Sequence, residues 1–264
     1  MHVTIWLILP RNITVETKGI RLVVMKTSLI AIYCWIILSA TLYLASYQRN
    51  MVWSDELTLW EDVIKKSSNK SRGYNNVGVN YSLQGRIDDA TAMYKTALRL
   101  KPDYLDAHNN LGNNYSRLGD IDAAIAEYKT VLRLKPDDAV AHYNMGNAYE
   151  RKGLLNEAIF KYRSAIKLKP DYLQARNNLG NVYFAQGQIE NAINEFRESL
   201  RLVPDVAETH NNLGVAYGAQ GKFADAIMEF KTALRLTPEF DKAAENLRMT
   251  YREAGINNNN DQRQ

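Results

Sequence analysis

Cysteine is all but missing: Cys34 is the only one in 264 residues, so no disulfide can close within the chain and cysteine usage carries no information on redox compartment. Charge of one sign is missing too. Residues 71–255 hold 24 Lys and Arg against 23 Asp and Glu, and so nearly neutral a stretch argues against the electrostatic footprint of a nucleic-acid binder. No metal-ligand cluster stands out, because His108, His142 and His210 are isolated from one another. Nor is there a Ser-His-Asp arrangement, a phosphate-binding glycine loop or a paired-carboxylate site. The chain is therefore expected not to be an enzyme and to need no cofactor, metal or small-molecule substrate. One stretch lacks charge altogether: Thr27 to Tyr47, 21 residues, long enough to span a bilayer as a helix.

What is present is periodicity. Prolines fall at Pro102, Pro136, Pro170, Pro204 and Pro238, an interval of 34 residues. In the same phase run Gly78, Gly112, Gly146, Gly180 and Gly214, with Tyr81, Gly85 and Ala90 and their equivalents in every copy. A further column reads Tyr94, Tyr128, Tyr162, Phe196 and Phe230. Within one copy, Ala107, Leu111, Tyr115 and Leu118 recur at three- and four-residue steps, one face of a helix. Gly119 ends that helix, Asp122 suits the positive start of the next, and Pro136 stops it. Gly112 and Ala124 are small enough to let the two helices approach, and Tyr115 and Tyr128 fill the space around them. Such a pair cannot bury its own apolar face, so copies must stack into an elongated solenoid.

A 34-residue unit with Leu-Gly, Tyr, Gly, Ala, an aromatic and Pro in that order resembles the tetratricopeptide repeat (TPR) over Ser71 to Phe240. The resemblance implies an all-α fold, a right-handed superhelix of five repeats at 71–104, 105–138, 139–172, 173–206 and 207–240. The usual Trp of the first helix is replaced by Tyr74, His108, His142, Arg176 and His210, which are read as packing residues.

The flanks complete the organisation. Residues 1–26 form a basic segment, 27–47 the expected transmembrane helix, and 48–70 a juxtamembrane half repeat in which Trp53, Leu57, Trp60 and Ile64 share one face and cover the open end of the array. Four basic residues before the span against three within about 20 residues after it favour a cytoplasmic N-terminus, placing the repeats in a periplasm or lumen. Asn12, Asn69 and Asn114 each open an Asn-x-Ser/Thr triplet, a pattern too common to carry weight. Residues 241–255 read as a lone capping helix, with Leu247, Tyr251 and Gly255 in column, and 256–264 as a disordered tail. The order of uncharged span, RNMVWSDELTLWEDV and SRGYNNVGVNYSLQG resembles the junction of transmembrane and tetratricopeptide repeat membrane proteins, whose multispan glycosyltransferase-like region has no counterpart here.

The candidate site is asparagine. Asn76, Asn110, Asn144, Asn178 and Asn212 repeat in every copy, joined one residue earlier by Asn75, Asn109, Asn177 and Asn211. Asn is a mediocre helix former, so a mid-helix column of it needs a reason. A carboxamide both donates and accepts and can pair with any peptide unit. Repeats roughly 10 Å apart would meet every third residue of an extended chain at ~3.3 Å each. A similar ladder lines the superhelix of O-GlcNAc transferase, and the resemblance implies a concave face built by first helices. Asn113, Asn147 and Asn181 extend the ladder by a turn, and Tyr143 and Phe184 add apolar contacts. The carboxylate-clamp lysine column is held by Asn75, Asn109, Tyr143, Asn177 and Asn211, which disfavours capture of a C-terminal acid. The expected partner is a protein or peptide in extended form. The alternatives are the acceptor-binding portion of a membrane glycosyltransferase, and an assembly platform whose asparagines only stabilise the stack.

Overall fold

The computed structural model describes residues 31–47 and 55–256 and divides into two compact units, Met1–Asp62 and Val63–Gln264. In the first unit, residues 31–47 (α1) are helical with exposed side chains. Among the described residues no helix is long and apolar enough to cross a membrane, so the span expected over 27–47 is not shown. Residues 27–30 of that span, the basic segment 1–26, residues 48–54 with Trp53, and the tail from 257 onward lie outside the described residues. Helix α2, Glu56–Lys66, opens with the Asp55 carboxylate accepting from the Thr58 N–H at 3.1 Å and crosses the division between the units. Inside the second unit its last turn meets the array: Ile64 Cγ2 stands 2.7 Å from where a side chain on Gly73 would begin.

Five helix pairs follow: α3 and α4 (Ser71–Leu83, Ile87–Leu100), α5 and α6 (Leu105–Leu118, Ile121–Leu134), α7 and α8 (Ala139–Arg151, Leu155–Leu168), α9 and α10 (Leu173–Ala185, Ile189–Leu202), and α11 and α12 (Ala207–Ala219, Phe223–Leu236). Helix α13, Asp241–Glu253, closes the series. The reversal inside a pair needs a left-handed residue, and Gly119 supplies it with φ 86°. Asp120 then caps α6 by accepting from Ala123 N–H, as Asp138 does for α7 from Ala141 N–H.

One contact recurs in every pair. A Cβ on Gly78, Gly112, Gly146, Gly180 or Gly214 would lie 2.5–2.7 Å from the ring of Tyr94, Tyr128, Tyr162, Phe196 or Phe230 respectively, so the ring of the second helix rests on the bare backbone of the first. Beside it Ala90, Ala124, Ala158, Ala192 and Ala226 are wholly buried. Every second helix also packs on the next first helix. First helices touch the first helices of the following pair, whereas second helices do not pack on one another to that degree, so the first helices form the inner edge of the array. On the outside, cations of one second-helix column lie over the next repeat's tyrosine: Lys95 over Tyr115 and Arg163 over Tyr183, both at 5.6 Å, and Lys231 over Tyr251 at 6.0 Å.

Replacing Gly180 by Ala tests the fastening. Helix propensity alone favours Ala by ~1 kcal/mol, but the intruding methyl group is expected to cost about 1–3 kcal/mol net in urea unfolding followed by circular dichroism. Pairing Gly180→Ala with Phe196→Leu is expected to recover part of the loss; a stabilised Gly180→Ala single variant would contradict the contact.

Candidate functional site

The inner edge bears a pocket of about 390 Å³ spanning three successive first helices, α3, α5 and α7, and lined by Asn75, Asp106, Asn109, Asn110, Asn113, Asp138, Val140 and Asn144. Five of these eight are asparagines of the ladder. Asp106, Asp138 and Val140 were not singled out by the asparagine column. Asp106 and Val140 lie one turn before Asn110 and Asn144, where helical spacing from the ladder would have found them, and Asp138 is the extended residue that caps α7.

The ladder is bonded to itself across repeats. Asn110 Nδ2 donates to Asn75 Oδ1 at 3.0 Å, Asn178 Nδ2 to Asn147 Oδ1 at 2.8 Å, and Asn212 Nδ2 to Asn181 Oδ1 at 3.2 Å. Asn76 and Asn212 each accept from the amide of the residue before them, Asn75 and Asn211, at 3.3 Å. Asn144, half-buried in the middle of the array, makes no side-chain hydrogen bond among the described residues. Asn113 and Asn147 accept from the core hydroxyls of Tyr128 and Tyr162 at 2.6 and 2.7 Å, so these groove carboxamides are oriented from inside the repeat. Burial pushes both hydroxyls above the ordinary tyrosine value, which keeps them protonated donors.

The companion column does not face the groove uniformly. Asn211 is 1% exposed and accepts from Asn246 of α13 at 2.8 Å, which makes it a stacking residue rather than a ligand contact. Asn177 donates to Thr209 Oγ1 at 2.9 Å while its Oδ1 is buried without a partner. Asn109 Oδ1 is likewise buried and unpaired, but its side chain lines the pocket. Tyr143 is half-buried, its ring 4.9 Å from Tyr172 and 6.0 Å from Tyr162, and Phe184 packs against the same core cluster. Both are anchored in the interior and offer only part of a ring.

The column in place of the family's tryptophan is a staple. His108 places Nδ1 2.6 Å from Glu127 and Nε2 2.9 Å from the Pro102 carbonyl. His210 repeats this with Glu229 and Pro204, and Arg176 with Glu195 and Pro170. Each ties its first helix to its own second helix and to the loop before it. Among the described residues no group of His, Cys, Asp and Glu could hold a metal. In the third repeat Lys161 stands where the second, fourth and fifth have glutamate, and His142 keeps only the Pro136 carbonyl, at 3.0 Å. Its Nδ1 is buried and unpartnered.

The tetratricopeptide repeat models match the chain over residues 78–119, 112–153, 152–187 and 180–221 ("TPR repeat") and 207–246 ("Tetratricopeptide repeat"). The chain is a tetratricopeptide repeat protein. Among solved structures it is similar to YrrB, described as a TPR protein with an unusual peptide-binding site, at 20% identity and TM-score 0.58 over 70% of this chain and 96% of that one. MamA is similar at 28% identity and TM-score 0.58, over 63% and 97%. TTC0263, a thermophilic TPR protein of Thermus thermophilus, is similar at 22% identity and TM-score 0.53, over 68% and 98%. No curated protein matches the TPR chain.

Burial holds the His142 ring below the usual histidine range, the Lys161 ammonium adds to this, and the Pro136 carbonyl opposes it. Charging the ring is then harder in the folded state, so its full contribution to stability is present above pH ~6.5 and is lost as pH falls from there toward the depressed folded value. Lys161→Glu supplies the carboxylate of the sister repeats. It is expected to stabilise the array by about 1 kcal/mol at pH 6, a Tm rise of ~2–4 °C, and to flatten the acid-side decline. An identical pH profile in the variant would show that the decline arises elsewhere.

Proposed function

We propose that this protein is a membrane-anchored TPR scaffold that mediates protein–protein interaction by holding extended polypeptide along its inner edge. The observation that carries the reading is the pocket shared by α3, α5 and α7, in which carboxamides from three repeats converge and Asn144 keeps both its donor and its acceptor for a ligand. A peptide backbone offers matching groups at regular spacing, and asparagine reads it without regard to side chain. YrrB, a TPR structure described by its peptide-binding site, supports a peptide as the occupant. The anchor rests on the uncharged stretch 27–47, of which 31–47 is helical with apolar side chains turned outward, and the flanking charges favour a periplasmic or lumenal array.

A second reading, an assembly platform without a peptide groove, is favoured by the amides of Asn110, Asn178 and Asn212 already being donated to neighbouring repeats. Such bonds stabilise the stack by ~1 kcal/mol each whether or not a ligand arrives. Titration of a peptide library against the protein and an Asn110→Ala, Asn144→Ala, Asn178→Ala variant separates the two. Groove binding predicts affinity lowered roughly tenfold or more, with most of the loss reproduced by Asn144→Ala alone, since that residue ties no repeats together. Equal affinity at equal thermal stability would leave the platform. Glycosyl transfer that depends on this chain in reconstituted membranes would instead favour the acceptor-binding role.

A further inference from the structure

Net charge conceals how the array sorts its charges. On the outer side, the last turn of every second helix carries one exposed cation in the same column: Arg99, Arg133, Lys167, Arg201 and Arg235. One turn earlier on the same faces stand the cations that lie over tyrosines, exposed as well. Through the last seven residues of these five helices the only acid is Glu198, and Arg201 holds it at 3.0 Å. The first turns hold the acids at the opposite ends, and the mid-helix acids Glu127, Glu195 and Glu229 are each held by the first helix of their own repeat, through His108, Arg176 and His210.

The helix dipole accounts for a cation in each last turn and an acid in each first turn. It does not account for the second basic row a turn earlier, nor for what stands among the cations. Phe160 is 65% exposed and Met228 58% exposed, each seven residues before the last-turn cation of its own helix and so on the same face. The side chains of Arg133, Lys167 and Arg235 make no ion pair or hydrogen bond among the described residues.

We infer that this outer face is a second binding surface, for an anionic lipid bilayer: the cations engage phosphate-bearing headgroups, and Phe160 and Met228 enter the boundary with the acyl chains. A nucleic acid would engage the cations alone and leave two large apolar groups, two repeats apart, in water. A bilayer surface uses both. A near-neutral array is compatible with this partner because a charged membrane surface acts only within about 8–10 Å, a range at which local sorting matters more than the total. The face lies across the repeat from the asparagine groove, so the two surfaces can be occupied together.

The test is flotation of the full chain with phosphatidylcholine vesicles, with and without phosphatidylglycerol, beside an Arg133→Glu, Lys167→Glu, Arg235→Glu variant whose folding is checked by circular dichroism. Any insertion through residues 27–47 contributes to both vesicle types and to both proteins, so the reading is the excess caused by phosphatidylglycerol. The expected result is a roughly tenfold or larger excess for the wild type that high salt removes and the triple variant lacks. Phe160→Ser, Met228→Ser is expected to weaken the excess while leaving its salt dependence. Equal binding to the two vesicle types, or an undiminished excess in the triple variant, overturns the proposal. So does binding of single-stranded DNA or an acidic protein by a wild type that ignores the vesicles. The groove variant with Asn110, Asn144 and Asn178 replaced is expected to float as the wild type does, so this proposal and the peptide reading fail separately.

Discussion

Everything in the array hangs on an aromatic ring laid against a glycine backbone. The glycine side removes a Cβ from the first helix, the ring covers the exposed main chain, and the completely buried alanine beside it brings the second helix close enough for that to happen. Because the contact recurs in five repeats, the angle between paired helices is set five times in the same way. A regular angle is what lets first helices line up along one edge. The groove is thus a product of the core, not a feature added to it. The link is direct in the second and third repeats, where the same ring hydroxyls that complete the core bond reach through to hold Asn113 and Asn147. In the fourth and fifth repeats the ring is phenylalanine, and Asn181 is held by Asn212 instead.

Beside the asparagine ladder, the ends of the first helices are joined from repeat to repeat by two chemistries. In the N-terminal half an arginine near the end of one first helix reaches the Ser of the preceding one: Arg117 to Ser82 and Arg151 to Ser116. In the C-terminal half that column is alanine, and amides do the joining, Gln186 to Asn156 and Gln220 to Glu190. The pocket falls in the arginine-tied half, where Asp106 and Asp138 give it an acidic rim.

The 34-residue interval, the helix boundaries within a residue or two, the glycine turns and the aromatic column were all legible in the sequence, because each depends on residue type at fixed spacing. What was not legible depended on the rotation of one helix against its neighbour. A column of identical asparagines does not reveal that Asn110 would bond to Asn75 while the Asn144 side chain would find no partner among the described residues, or that Asn211 would be closed off by Asn246. Asn114, which opens a glycosylation triplet in the sequence, is 1% exposed and accepts from Ser82 Oγ at 3.0 Å, so in the folded chain it is a buried connector. The basic rows on the second helices were present at the same interval as the glycines, but summing charge over the array erased them.

The third repeat is the one that departs from its neighbours, with Lys161 across from His142 and with Tyr143 in the companion column, its ring tilted against that of Tyr172. In a one-dimensional stack every unit is held only by the two beside it, so a single ill-matched unit decides where the stack parts. The third repeat shares its buried side chains with the repeats on both sides but lacks the histidine–glutamate tie of the second, so loosening is expected to begin in its first helix, and the asparagine edge that this helix carries would loosen with it.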